Sequence, residues 1–344
     1  MDAKIEEIKQ KVILKNEGVD YTSTYEYPNT TDNPANTSIE AFTENLDVKI
    51  ISKSEEDIKF DIKGIDAAMA NALRRIFIAE IPTVAIEKVN MWQNTSVIPD
   101  EVLAHRMGLV PIKVDPRLFE YKDKNQEYDE TNCVKFKLHV RCTRKDGVQH
   151  DPKAEILPNN EELLFNHSSV YASDMEWIPL GDQAEKFKNT PIRPVYEDIL
   201  IAKLGPGQEI EMELMCEKGI GKTHAKWSPV ATAYYRLMPE VTFNEDITGD
   251  EAIELSQKWP KLFDIDESGK LYVKNQRACD TSREIIRDER FTNKIKLAKI
   301  KNHFEFTIES VGMYKPEEIF IEGISTILKN KVKYWRKQLK QIDG

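Results

Sequence analysis

The chain has 344 residues, with 49 Lys and Arg against 59 Asp and Glu, for a formal net charge of −10. That length exceeds the roughly 250–300 residues at which one hydrophobic core stops growing, so two domains are expected. With 40% hydrophobic and 31% charged residues, no apolar run beyond four residues and an acidic balance, the composition excludes a disordered chain, a transmembrane helix and a general phosphate-neutralising nucleic-acid binder.

Met1 to Lys15 alternates charged with apolar residues and lacks the apolar core of a signal peptide. The four cysteines, Cys133, Cys142, Cys216 and Cys279, stand far apart and read as reduced thiols of a cytosolic or nuclear chain. Residues 20–45 are polar and rich in Thr, Asn and Pro, and residues 1–44 are expected to form a flexible tail. Structure is expected from Val48–Ile51. After a polar turn, Ile58-Lys59-Phe60-Asp61-Ile62-Lys63 alternates apolar and charged residues, which predicts a hairpin with one buried face. Asp66 is placed to N-cap a helix over 67–80, ended by Pro82. In it Met69, Leu73, Ile76 and Phe77 form one apolar stripe, with Arg74 and Arg75 off its centre.

Val84–Trp92 is rich in β-formers and predicts a strand. A short helix is expected from Pro99, with Asp100 and Glu101 complementing its dipole and Gly108 as a left-handed stop. Val134–Arg141 alternates without fault, and from there to about residue 240 the text reads as strands broken by Pro and Gly. Thr281 and Glu284 have the spacing of a capping box. His303–Glu309 predicts another half-buried strand. Pro316 opens a last helix to about Leu339, with Phe320, Ile324, Ile327, Leu328 and Trp335 on one face. Strand–helix units at both ends of a β-rich middle imply an α+β fold, a discontinuous α/β domain with an inserted β-rich domain.

Gly219-Ile220-Gly221-Lys222-Thr223 ends like a Walker A loop and supports an alternative reading as a standalone nucleotide-binding enzyme. The full pattern needs a glycine at position 216, where Cys216 stands, and Trp227-Ser228-Pro229 replaces the helix that should follow. There is no C-x-x-C pair, and Cys133 and Cys142 lie at opposite ends of one expected strand, so neither a metal site nor a cofactor is legible. Glu101 and His105, one helical turn apart, read as a surface pair rather than an acid–base couple. Lys329, Lys331, Lys333, Arg336, Lys337 and Lys340 read as a solvated face balancing the helix C-terminus; a contact with an acidic partner is the sharper alternative. Arg74 and Arg75, adjacent in a helix of otherwise small and apolar residues, fit an interface in which guanidinium groups pair with carboxylates.

Asn71-Ala72-Leu73-Arg74-Arg75, then Asn94-Thr95-Ser96, then Asp100 through Pro111, resembles the signature of the α-like subunits of archaeal and eukaryotic RNA polymerases. His224-Ala225-Lys226-Trp227-Ser228-Pro229, Glu309-Ser310-Val311-Gly312 and Pro316-Glu317-Glu318 extend the resemblance from about residue 45 to the C-terminus. The cysteine cluster that the RNA polymerase II and many archaeal counterparts carry in the insert is missing, and Val230–Pro239 with Ser282-Arg283-Glu284 resembles the larger subunits shared by RNA polymerases I and III. The resemblance implies a non-catalytic assembly subunit of the nucleus and nucleolus, serving synthesis of ribosomal and small structural RNAs. It implies a dimerisation domain in two parts, 45–82 and 240–344, around an insert at 83–239. It further implies a heterodimer with a smaller α-like subunit, with Met69, Leu73, Ile76 and Phe77 as the dimer face. Arg74 and Arg75 would help seat the second-largest polymerase subunit, small zinc-binding subunits would be neighbours, and no direct contact with DNA or a membrane is expected.

Overall fold

A computed structural model describes residues 10–22, 39–145 and 164–342. In chain order the first half holds β1 (Lys11–Leu14), β2 (Val19–Asp20), α1 (Ile39–Asn45), β3 (Asp47–Lys53), β4 (Asp57–Lys63), α2 (Ala67–Ala79), β5 (Pro82–Asn94), α3 (Asp100–Gly108) and β6 (Cys133–Arg141). Next come β7 (Met175–Ile178), β8 (Glu209–Ile220), β9 (Val230–Phe243), α4 (Asp250–Lys258), α5 (Glu284–Arg287) and β10 (Ile295–Ser310). The last helix is in three pieces: α6 (Pro316–Glu322), a π-helical stretch at Gly323–Leu328, and α7 (Lys329–Ile342).

Two compact units are interleaved along the chain. The first draws on 1–54, 58–74 and 234–307, the second on 55–57, 75–233 and 308–344.

In the first unit a six-stranded sheet runs β2-β1-β10-β4-β3, with β9 also paired to β10. Phe60 stacks on Phe306 with centroids 5.3 Å apart, and Tyr235 meets Phe304 edge-on at 5.4 Å, so strands from both ends of the chain share one aromatic core. Part of the segment expected to be a tail belongs to this sheet. Lys11–Leu14 pairs antiparallel with Leu297–Ile300, and Leu14 is buried. The alternating charge that masks residues 1–15 gives way at Val12-Ile13-Leu14 to a short β-forming run, and a long partner strand supplies the missing hydrogen bonds. Ile39–Asn45 is a helix rather than a linker, closed by Thr43 and Asn45 side chains donating to the carbonyls of Ile39 and Ala41. The rest of the expected linker, 23–38, lies outside the described residues.

A small second core lies between β9 and β10, where α4 contributes Ala252 and Leu255 against Leu262, Phe263, Leu271 and Phe291. The expected capping box is absent there. Thr281 and Arg283 are left-handed, at φ of 59° and 64°, and Ser282 N–H donates to Asp280 Oδ1, so local side-chain turns compete with a cap on α5.

The charged face of this sheet carries a buried carboxylate. Asp61, 2% exposed in the middle of β4, accepts from both terminal nitrogens of Arg277, at 2.8 Å on Oδ1 and also on Oδ2. His303 Nε2 lies 3.1 Å from Oδ2, and Glu305 accepts from both Arg277 and Arg236. Burial alone would raise the Asp61 pKa, but the Arg277 and His303 groups outweigh it and hold the carboxyl below its ordinary value.

The second unit is built on the antiparallel sheet β7-β6-β8-β5. Strict alternation on β8 puts Ile210, Met212, Leu214 and Cys216 on one face, all fully buried, with Glu211 and Glu213 opposite. Lys137 and Lys135 on β6 pair with those glutamates at 3.0 and 2.8 Å. α3 closes the core with Leu103 and Met107. Gly108 differs from expectation: it lies inside the helix without a positive φ, and Leu109 ends the helix in a right-handed conformation. A Cβ at position 108 would sit 3.5 Å from Ile86 O and 3.7 Å from Lys226 Cδ, ordinary contact distances, so neither backbone conformation nor space requires glycine there.

Because Asp61 is ionised more readily when folded, its stabilisation is full above the unfolded aspartate value of about 4 and fades as pH falls through the lower folded value. Arg277→Met strands the buried carboxylate and is expected to cost about 3 kcal/mol at neutral pH, with a smaller penalty at a pH low enough to protonate the folded carboxyl. Denaturant titrations at both pH values check this; an equal penalty at the two would refute it.

Candidate partner-binding surface

α2 begins as its sequence predicts, with Met69 N–H donating to Asp66 Oδ1 at 2.7 Å. Three residues of its apolar stripe turn inward. Leu73 is 5% exposed, Ile76 2% and Phe77 0%, whereas Met69 is 40% exposed. Phe77 meets the Phe320 ring at 6.0 Å and lies against Gly323, where an added Cβ would come within 2.7 Å of it. The expected dimer face at Met69, Leu73, Ile76 and Phe77 is therefore mostly the chain's own core, and only Met69 stands open. Arg74 donates from Nε and Nη2 to Asn71 Oδ1 at 3.1 and 2.9 Å, which props its guanidinium along the helix, and Arg75 is exposed.

α7 is different in kind. It has no buried residue, yet Val332, Trp335, Leu339 and Ile342 recur at helical spacing and are 45–79% exposed. The basic residues flank this stripe, and Lys331 pairs with Glu80 at 2.8 Å. The expected single face of the last helix is thus two faces. Phe320, Ile324, Ile327 and Leu328 are half-buried, while Trp335 belongs to the exposed stripe. The π-helical turn between them shifts the helical phase. The density of lysines hid this stripe in the sequence; its i, i+3, i+7, i+10 spacing was the signal.

The motif residues of the insert form a latch. Asn94 donates to Ile98 O at 2.8 Å and Asp100 Oδ1 at 2.7 Å, while its own oxygen accepts from Ser96 N and Oγ. Arg106 reaches the carbonyls of Ile201 and Leu200 at 3.0 and 2.9 Å. Thr83 donates to Trp227 O, Trp227 Nε1 donates to Glu217 O, and Lys226 caps the indole at 4.5 Å while donating to Ile86 O and Glu87. His105 meets His224 edge-on at 6.3 Å, so it is one wall of this cluster.

Gly219 and Gly221 are explained by the same latch. A Cβ at Gly219 would lie 2.4 Å from the Trp227 ring, and one at Gly221 would lie 2.3 Å from Ile78 O. Lys222 N–H donates to Ala79 O at 2.8 Å. These backbone groups face protein, so the segment is a packed crossing and no phosphate cradle.

The four cysteines are buried and unlinked. Burial pushes the Cys133 thiol up to about 12 and raises Cys216 well above the ordinary value, which leaves both unreactive. Among the described residues, His139, Glu209 and Glu211 bring three donor atoms within 4.8 Å of one another on the open face of β6 and β8. His139 already contacts Glu209 at 2.8 Å and Lys137 holds Glu211 at 3.0 Å, so ion pairing accounts for the group.

Exposed anchor residues on a helix, beside motifs spent on packing, are the features of a surface that meets another chain. Residues 59–332 match the family described as the RNA polymerase Rpb3/Rpb11 dimerisation domain, and the chain belongs to that family. It is 44% identical to subunit RPAC1 of DNA-directed RNA polymerases I and III from Homo sapiens, over 94% of each chain. The Saccharomyces cerevisiae RPAC1 is 43% identical over 86% of this chain and 88% of its own. An archaeal relative, subunit Rpo3 of Methanothermobacter thermautotrophicus, is 31% identical over 83% of this chain and 96% of its own. The protein is a non-catalytic α-like subunit of the type shared by RNA polymerases I and III.

Gly221→Ala forces a methyl group onto the Ile78 carbonyl and is expected to destabilise the fold by about 1–3 kcal/mol. Thermal unfolding checks it; an unchanged melting temperature would show that the crossing is looser than described.

Proposed function

We propose that the chain heterodimerises with a smaller α-like subunit and thereby nucleates assembly of RNA polymerases I and III. The single observation behind this is the α7 stripe, Val332, Trp335, Leu339 and Ile342, an exposed apolar helix face on a member of a dimerisation family. Trp at the centre of such a stripe is the residue type that dominates interface energetics. The dimerisation domain is read as 45–82 with 240–344 around an insert at 83–239; the sheet that joins β3 and β4 to β9 and β10 supports the pairing of its two parts, while 75–82 and 308–344 group with the insert.

Arg74 and Arg75 are assigned to the second-largest polymerase subunit. Their support is the Asn71 prop, which holds one guanidinium in a fixed orientation ready for a carboxylate, and the exposure of the other. Small zinc-binding subunits are proposed as neighbours. The nucleolus, synthesis of ribosomal and small structural RNAs, and hence ribosome biogenesis follow from the two polymerases named for the relatives.

Trp335→Glu is expected to weaken the heterodimer by at least about 2 kcal/mol while leaving the melting of the isolated chain unchanged, because the side chain is 63% exposed. Isothermal titration with the smaller α-like subunit measures it; unaltered affinity would remove α7 from the interface. Arg74→Glu with Arg75→Glu is expected to spare the heterodimer and lower recovery of the second-largest subunit on affinity purification by about tenfold or more. Normal recovery would show that these arginines seat something else.

A further inference from the structure

The outer edge of the first unit's sheet carries a surface that the heterodimer reading does not use. β3 ends the strand order, so its far side has no strand partner among the described residues. All seven of its residues are exposed, although Val48, Ile50 and Ile51 are β-branched and apolar. Register explains why this is more than a loose end. Val48 stands opposite Ile62 and Ile50 opposite Phe60, and both partners on β4 are 2% exposed. Directly paired residues share a face, so the core face of the sheet continues onto β3 and stays open there, with Ile50 58% exposed. On the other face three exposed lysines gather, Lys49 on β3 with Lys59 and Lys63 on β4, and Ile51 lines the same hollow as Lys59 and Asp61. Asp47 offsets Lys63 only at 4.0 Å, and the Asp61 carboxylate between Lys59 and Lys63 is committed to Arg277.

From this we propose that β3 accepts an added strand from another chain, an extended segment in which apolar residues alternate with acidic ones. The backbone edge offers the hydrogen bonds of strand addition. Period two then sends one set of the incoming side chains onto Val48 and Ile50 and the other set beside Lys49 and Lys59. The basic face selects the acidic residues. The irregularity between Ile50 and Ser52 limits the straight stretch to Asp47–Ile50, which disfavours stacking of long sheets and suits a short segment.

The test uses the full chain and a fluorescein-labelled seven-residue peptide of alternating Glu and Val. Saturable anisotropy is expected, together with slowed hydrogen exchange of the amides at 47–53. Lys49→Glu and a peptide with Lys in place of Glu are each expected to weaken binding about tenfold through like-charge contacts across the added strand, and Ile50→Glu by a similar factor because it sets a charge against the incoming valines. The altered side chains are exposed, so melting of the variants should match the parent, and Ile50→Thr serves as a milder check. Absence of saturation, equal binding by the Ile50→Glu variant, or equal binding of the Lys peptide would overturn the proposal. A concentration-dependent dimer in sedimentation that Ile50→Glu abolishes would also overturn it, in favour of pairing between two copies of this chain. Because the peptide assay omits the smaller α-like subunit, its failure would leave the α7 interface untouched.

Discussion

The buried carboxylate of Asp61 is the constraint around which the first unit is arranged. An ion in the middle of a strand, 2% exposed, costs several kcal/mol unless it is neutralised and hydrogen-bonded in place. Its partner, Arg277, lies 216 residues further along the chain. The segment between β9 and β10 must therefore fold back onto the charged face of the sheet, and Glu305, shared between Arg277 and Arg236, leaves no unpaired guanidinium behind. The same group fixes register. A slip of β4 by one residue would turn Asp61 into the aromatic core and expose Phe60, so no alternative pairing of the strand is competitive.

In the second unit the equivalent task falls to an indole. Trp227 ties two remote stretches to its own, its carbonyl accepting from Thr83 and its Nε1 donating to Glu217 O, while the neighbouring Lys226 covers its ring. Gly219 and Gly221 are small because the indole and α2 occupy the space a side chain would need. A motif that resembles a phosphate loop on paper is thus spent on packing. The Asn94 turn and the Arg106 contacts act likewise, and the family signature in the insert is mainly a set of folding instructions.

Local periodicity made much of the fold legible. β4, α2, β6 and β10 follow from alternation, helical spacing and the Asp66 cap, because each is decided by which of its faces is buried. What escaped depended on partners remote in sequence. β1 is four residues long and exists as a strand because β10 offers it an edge. Gly108 looked like a helix stop, yet the helix runs through it and ends at Leu109 in a right-handed conformation. The stripe on α2 was legible as apolar but not as internal, since the sequence does not reveal Phe320 and Gly323 waiting against Phe77. On α7 the lysines obscured the apolar face between them.

That arrangement bears on the meaning of the −10 net charge. Exposed charges act over about 8 Å at physiological ionic strength, so a partner senses the patch it approaches rather than the sum over the chain. α7 spans roughly 21 Å and carries six Lys and Arg with no Asp or Glu, against an acidic whole. Lysine ammonium groups on flexible stems can flank Trp335 and Leu339 while staying in water, which keeps the stripe soluble until its partner arrives. The lysines then favour a partner with carboxylates along the rim of its groove and penalise contact with a second basic helix of the same kind. An apolar stripe alone would bind promiscuously. Cations around it add a preference for acidic rims, which gives a member of a dimerisation family physical reason to carry both.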